Sequence, residues 1–205
     1  MNIDMHFHMI PPFLLMNCDL IIPDNKWGKA VEQDEPDQTV MRIGRLTFPM
    51  EPEHYDTDAI LAAMDAKRID LAAISPSPML FHYRNDAEAT RQLCCRINDH
   101  LLTMADLHPT RFRPLATLPM QDPAAALAEL ERVMALGMAG IEIETNVNGK
   151  NLDASEFREL FRSAARLGAV VFLHPAAVLG VDRLADYYLA NLIGNPTDTA
   201  VAAAS

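Results

Sequence analysis

The chain has 205 residues, with 17 basic and 28 acidic side chains and a formal net charge of −11; half of it is hydrophobic. That is enough for one sizeable domain with a real core, and the acidic balance argues against nucleic acid or an anionic membrane surface, both of which reward clustered Lys and Arg. No run of about 18 apolar residues marks a membrane span, no basic-then-apolar leader is seen, and the three cysteines, Cys18, Cys94 and Cys95, make no disulfide framework. A reduced, cytoplasmic protein is expected.

Residues 2–8 read as the first strand. Side chains alternate along a strand, so Asp4, His6 and His8 share one face and Ile3, Met5 and Phe7 the other. Two imidazoles two residues apart on a rigid strand can reach one metal ion, and imidazole nitrogen suits zinc and similar first-row ions. Ordinary strand-end histidines are the alternative. Residues 9–55 hold six prolines and read as a long loop insertion with short pieces of structure, placed to wall such a site. Trp27 and Arg42 are taken there as surface residues.

Asp56 or Thr57 caps a helix over about 58–68, striped by Ile60, Leu61 and Met64. Residues 70–74 form a buried strand that ends at Ser75 and Pro76. Asp86 opens a helix to about Asp106, with Leu93, Ile97, Leu101 and Met104 at helical spacing. Residues 113–118 make a third strand. Asp122 and Pro123 start the next helix, which stops at Gly137. In the fourth strand, 139–145, Ile141 and Ile143 face one way and Glu142 and Glu144 the other. Asp153 and Glu156 resemble a capping box for a helix that ends at Gly168. The fifth strand, 169–175, carries His174. A helical region runs from about Val181 past Tyr187 to Gly194, and another begins near Thr197.

Strands alternating with helices imply parallel strands with right-handed crossovers. Without a Gly-rich phosphate loop after strand one, a nucleotide-binding doubly wound fold loses ground. Polar residues instead gather at the C-terminal strand ends: His6, His8, Ser75, Ser77, Glu144, Asn146 and His174. A (β/α)8 barrel keeps its chemistry there. The fold class is therefore α/β, a partial (β/α)8 TIM-type barrel of about five βα units over residues 1–205. Three imidazoles on strand ends suit a catalytic metal with an open position, which would acidify a bound water or polarise a substrate oxygen.

Ile3-Asp4-Met5-His6-Phe7-His8, Met-Asp-Ala at 64–66, Thr-Asn-Val-Asn-Gly at 145–149, Leu-His-Pro at 173–175 and Gly-Asn-Pro-Thr-Asp-Thr-Ala at 194–200 resemble the amidohydrolase superfamily, in its branch similar to aminocarboxymuconate-semialdehyde decarboxylase. The resemblance spans the chain. It implies His6, His8 and His174 as ligands of one divalent ion, zinc first and manganese second, with His174 at the catalytic centre. It implies a lyase that decarboxylates a small unsaturated or aromatic carboxylic acid without oxidation, working as a homodimer. Arg45, in the loop after strand one, is the nearest candidate for holding the substrate carboxylate. A metal-dependent hydrolase of a lactone, ester or amide is the second reading, and a non-catalytic fragment the third.

Two departures from the family pattern bear on these expectations. Five strands are counted where a family barrel has eight, so the chain reads as the first part of a longer enzyme, without the family's later histidine and aspartate. Glu144 on strand four could bridge two metals as in binuclear relatives, but a residue lining a mononuclear site is the preferred reading. His54, His82, His100 and His108 are taken as surface or structural, with His82 the exception most apt to line a pocket.

Overall fold

The computed structural model describes residues 1–15, 30–31, 39–43 and 46–205. Arg45, Trp27 and Cys18 lie outside the described residues. Five parallel strands, β1 (Ile3–Met9), β5 (Leu71–Pro76), β6 (Phe112–Ala116), β7 (Gly140–Glu144) and β10 (Val170–His174), form one sheet in the order β1-β5-β6-β7-β10. Each strand thus pairs with the next parallel strand of the chain, the order of the first βα units of a (β/α)8 barrel. All five are parallel, so their C-terminal ends share one edge of the sheet.

The chain divides into two compact units. The first holds Met1–Ser77 and Cys95–Pro114. Here α1 (Thr57–Ala66) follows the Asp56 N-cap, whose carboxylate accepts from the Ala59 amide at 2.9 Å. Ile60 and Met64 go to the core with Ile74, Ile97, Leu101 and Phe112. Arg111 staples the strand starts, donating to the Asp70 carbonyl at 3.1 Å and the Asp65 carboxylate at 2.8 Å.

This unit also contains a small antiparallel sheet, β2 (Ala30–Val31), β3 (Thr39–Ile43) and β4 (Leu46–Met50), in the order β2-β3-β4. The insertion expected to be mostly loop therefore carries a hairpin. Pro49 reads as a loop signal, but it sits on β4, an edge strand of this sheet, the kind of strand in which proline is tolerated.

The second unit holds Pro78–Cys94 and Leu115–Ser205, and after β7 it carries a two-stranded antiparallel hairpin, β8 (Asn146–Val147) and β9 (Lys150–Asn151). The long helix α2 (Ala87–Leu107) and β6 give residues to both units. α3 (Pro123–Ala135) begins on Asp122, whose carboxylate takes the Ala124 and Ala125 amides at 3.1 Å each. Leu130, Val133, Ile141, Ile143 and Phe157 fill the core of this unit. Gly140 is required by the close approach of β10, since a Cβ there would stand 2.0 Å from the Val170 carbonyl oxygen.

Two local expectations are corrected. Asp153 and Glu156 do not cap α4 (Arg158–Leu167); the preceding turn starts on Ala154 without a side-chain cap, and Glu156 pairs with Lys150 at 2.8 Å. Past β10, the helix expected over 181–194 breaks into a 3-10 turn (Val181–Arg183) and a π turn (Ala190–Gly194), because Tyr187 and Tyr188 have φ of 56° and 60°, outside the helical range. α5 (Asn195–Ala204) takes Pro196 in its first turn, where proline's missing N–H is harmless. Among the described residues, no helix is long and apolar enough to cross a membrane.

Candidate metal centre

The first unit supplies the histidine pair. β1 slips register against β5 between Asp4 and Phe7, and the Asp4 carboxylate turns back to accept the His6 amide at 3.0 Å. Strict alternation is thereby interrupted, yet His6 and His8 still converge: their Nε2 atoms stand 2.8 Å apart, with the rings edge to face. Two nitrogens that each lie about 2.0–2.1 Å from one ion stand roughly 3 Å from each other, so the spacing suits shared coordination.

His8 is oriented by Ser75, its register partner on β5. His8 Nδ1 lies 3.1 Å from Ser75 Oγ, and that hydroxyl donates to the Phe7 carbonyl at 3.3 Å. A serine has one proton to give. With it directed at Phe7, Ser75 accepts from His8 Nδ1–H, which leaves the lone pair of His8 on Nε2. Such support of the distal ring nitrogen is how metal-ligating histidines are held.

The second unit supplies the other strand-end histidine. β10 pairs with β7 in unbroken register, Phe172 with Glu142 and His174 with Glu144. Opposed residues of a parallel pair point to one face, so two carboxylates and one imidazole share that face. His174 Nδ1 is 3.0 Å from the Pro175 carbonyl oxygen, which can only accept. His174 is therefore also the Nδ1–H tautomer, with its lone pair on Nε2.

Glu142 is fully buried, and Glu144 is partly exposed at the strand end. Burial pushes the Glu144 carboxyl up to about 7, with Asp198 adding to the rise and the Arg84 guanidinium opposing it. Tyr83 is buried in the same unit, stacked on Phe81, and its hydroxyl is raised well above the ordinary phenol value by burial first and by Glu144 second.

The loop that follows β7 is tied to the start of α5. The Asp198 carboxylate, itself buried, accepts from the Thr145 hydroxyl, from Asn146 Nδ2 at 3.3 Å and from the Leu179 amide at 3.1 Å. The sequence singled out Thr145–Gly149 and 194–200 as separate motifs; the folded chain joins them through this carboxylate–hydroxyl contact.

Of the residues singled out in the sequence, His6 and His8 are brought together in one unit, and His174 lies in the other beside Glu144. Arg42 lies on β3. His82 is buried, and burial lowers its imidazole to about 4. Sequence reasoning passed over Glu142 in favour of Glu144; the alternation placed both on one face, and only burial separates them. It noted Ser75 as polar but assigned it no role.

Comparison with known proteins places these features in context. The amidohydrolase family profile matches residues 3–203. A 2-amino-3-carboxymuconate-6-semialdehyde decarboxylase of Dictyostelium discoideum is 31% identical over all of this chain and 57% of its own length. Among solved structures, 5-carboxyvanillate decarboxylase from Sphingomonas paucimobilis is 26% identical with a TM-score of 0.76, covering 98% of this chain and 61% of that one. A dihydroxybenzoic acid decarboxylase from Polaromonas, solved with bound manganese and the inhibitor 2-nitroresorcinol, is 25% identical with a TM-score of 0.73, covering 99% of this chain and 59% of that one. The chain spans about three-fifths of the length of the curated relatives it matches first.

Proposed function

This chain belongs to the amidohydrolase family, and we propose that it serves a metal-dependent lyase that decarboxylates a small aromatic or unsaturated carboxylic acid without oxidation. The observation that carries the reading is the shared orientation of His8 and His174, each with Nδ1 on a protein oxygen, together with the 2.8 Å approach of the His6 and His8 Nε2 atoms. The reading assigns His6 and His8 of the first unit and His174 of the second as ligands of one divalent ion, as the resemblance implies, with Glu142 as a carboxylate donor on the His174 face. Three imidazole nitrogens and a carboxylate oxygen accept zinc and manganese alike. Manganese stands beside zinc here because the Polaromonas relative carries it.

An ion held by these residues would polarise a substrate oxygen. The protein's own part is orientation. Ser75 and the Pro175 carbonyl hold two rings in place, and Glu142 puts a buried carboxyl group on the same face of the sheet as His174. The reaction exchanges a carbon–carboxylate bond for a carbon–hydrogen bond, so carbon dioxide leaves as a proton arrives at carbon. The reading includes a reducing, cytoplasmic setting, as expected from the sequence.

Metal content and carbon dioxide release test the reading together. The purified chain should retain about one ion, and His174→Ala, like the double substitution His6→Ala, His8→Ala, should lose it. Carbon dioxide should appear from an aromatic acid only in samples that keep the ion. An ion retained at full stoichiometry in either variant would overturn the ligand assignment; hydrolysis without carbon dioxide would replace the lyase by a hydrolase.

A further inference from the structure

The starts of β5 and β6, in the first unit and at the end of the strands away from the strand-end histidines, border a polar groove. It holds about 490 Å³ and is lined by Asp65, Arg68, Ile69, Asp70, Thr110 and Arg111. Most of its charges are already matched. Arg111 donates to the Asp65 carboxylate at 2.8 Å and to the Asp70 and Ile69 carbonyls at 3.1 and 3.2 Å. The Asp70 carboxylate accepts from the Asn2 amide at 2.6 Å and stands 3.7 Å from the Met1 ammonium. Arg68 is exposed, and neither its guanidinium nor the Thr110 hydroxyl has a partner among the described residues. One positive charge is left over, in a chain whose net charge is −11.

Arg68 also occupies a position where its side chain is a burden. α1 closes with two nested bonds, from the Ile69 amide to the Met64 carbonyl at 2.8 Å and from the Arg68 amide to the Asp65 carbonyl at 3.1 Å. In this helix ending the residue at 68 takes the left-handed conformation, here with φ 57°, and glycine is its usual occupant because a Cβ is strained there. Fold stability alone would favour glycine. A strained arginine that pairs with nothing in the fold points to a ligand outside it.

We propose that Arg68 and Thr110 bind a small phosphate-bearing anion in this groove. The guanidinium offers two parallel N–H bonds to two oxygens of a tetrahedral oxoanion, and the hydroxyl offers a third bond to another oxygen. A carboxylate, with two oxygens, would leave the hydroxyl unused. Asp65, Asp70 and open solvent all weaken the attraction, so binding in the millimolar range is expected.

Calorimetric titration of the whole chain with inorganic phosphate, at an ionic strength held constant with sodium chloride, tests this together with Tm. Wild type should bind phosphate, and saturating phosphate should raise its Tm. Arg68→Gly should bind at least about tenfold more weakly and lose that rise, yet have a basal Tm about 2–4 °C above wild type as the strain is relieved. Arg68→Lys should fall between, a point charge without the fork. The double substitution His6→Ala, His8→Ala should bind phosphate as wild type does, which separates this groove from an anion held at a metal ion. Glycerol phosphate titrated in parallel distinguishes the sources of the anion: tighter binding than inorganic phosphate supports a phosphorylated small molecule, and equal binding supports phosphate itself. Phosphate binding that survives in Arg68→Gly, or that is lost in the histidine variant, overturns the proposal, as does a wild type that binds none. A basal Tm lowered in Arg68→Gly would assign the arginine to the fold and overturn it as well.

Discussion

On β1 the two imidazoles meet because they are near neighbours in the chain; on β7 and β10, Glu142, Glu144 and His174 share a face because two strands about 30 residues apart hold an unbroken register. The difference shows in the surroundings. β1 tolerates a register slip, and its Ile3 and Met5 remain 44% and 53% exposed. β7 is buried from Gly140 to Ile143 and admits no side chain at Gly140. A short-range pair of histidines survives local irregularity, whereas a cross-strand group depends on each ladder contact that aligns it.

Breaking the cross-strand half should have the largest effect. Gly140→Ala would drive a methyl into the Val170 backbone and should cost on the order of 3 kcal/mol as overpacking. A lowered Tm is expected, with hydrogen-exchange protection lost in β7 and β10 and kept in β1 and β5. Equal loss in both regions would mean that the two halves do not differ as described.

Acid should also separate the two regions, through His82 in the second unit. Its folded-state pKa is depressed to about 4 from 6.5, so the unfolded chain binds the proton more readily. The stability contributed by keeping this ring neutral is full above about pH 6.5 and is lost as pH falls through 4, roughly 3 kcal/mol in all. His82→Asn should flatten the pH dependence of Tm over that window in metal-free protein, since Asn accepts the left-handed backbone at this position (φ 56°). An unchanged slope would rule out His82 as its source.

The smallest effect sharpens the β1 half. Ser75→Ala removes the acceptor that fixes the His8 tautomer without touching a ligand atom. Metal affinity, read by chelator competition, should fall about 10–100-fold with little change in Tm. Unaltered affinity would show that the ring needs no such support.

Much of this protein follows from local sequence. The His6–His8 pair, the N-caps Asp56 and Asp122, and the stop at Gly168 each depend on residues within a turn or a strand step of one another, where covalent geometry alone sets who can meet whom. The alternating pattern of strands and helices likewise announced a parallel sheet. Proline misled at Pro49, because whether it breaks an element depends on position, and the edge strand β4 accepts it.

Other features were decided only by packing. Glu142 is distinguished from Glu144 by burial, the Ser75 and Pro175 oxygens set the histidine tautomers, and Asp198 reaches back across some 50 residues to Thr145 and Asn146. None of these has a local signature, because a carboxylate's role depends on which distant donors the folded chain brings to it. Sequence by itself determined the donor types and the strand order; tertiary structure decided which ring nitrogen of His8 and His174 meets a protein oxygen and which of Glu142 and Glu144 is buried.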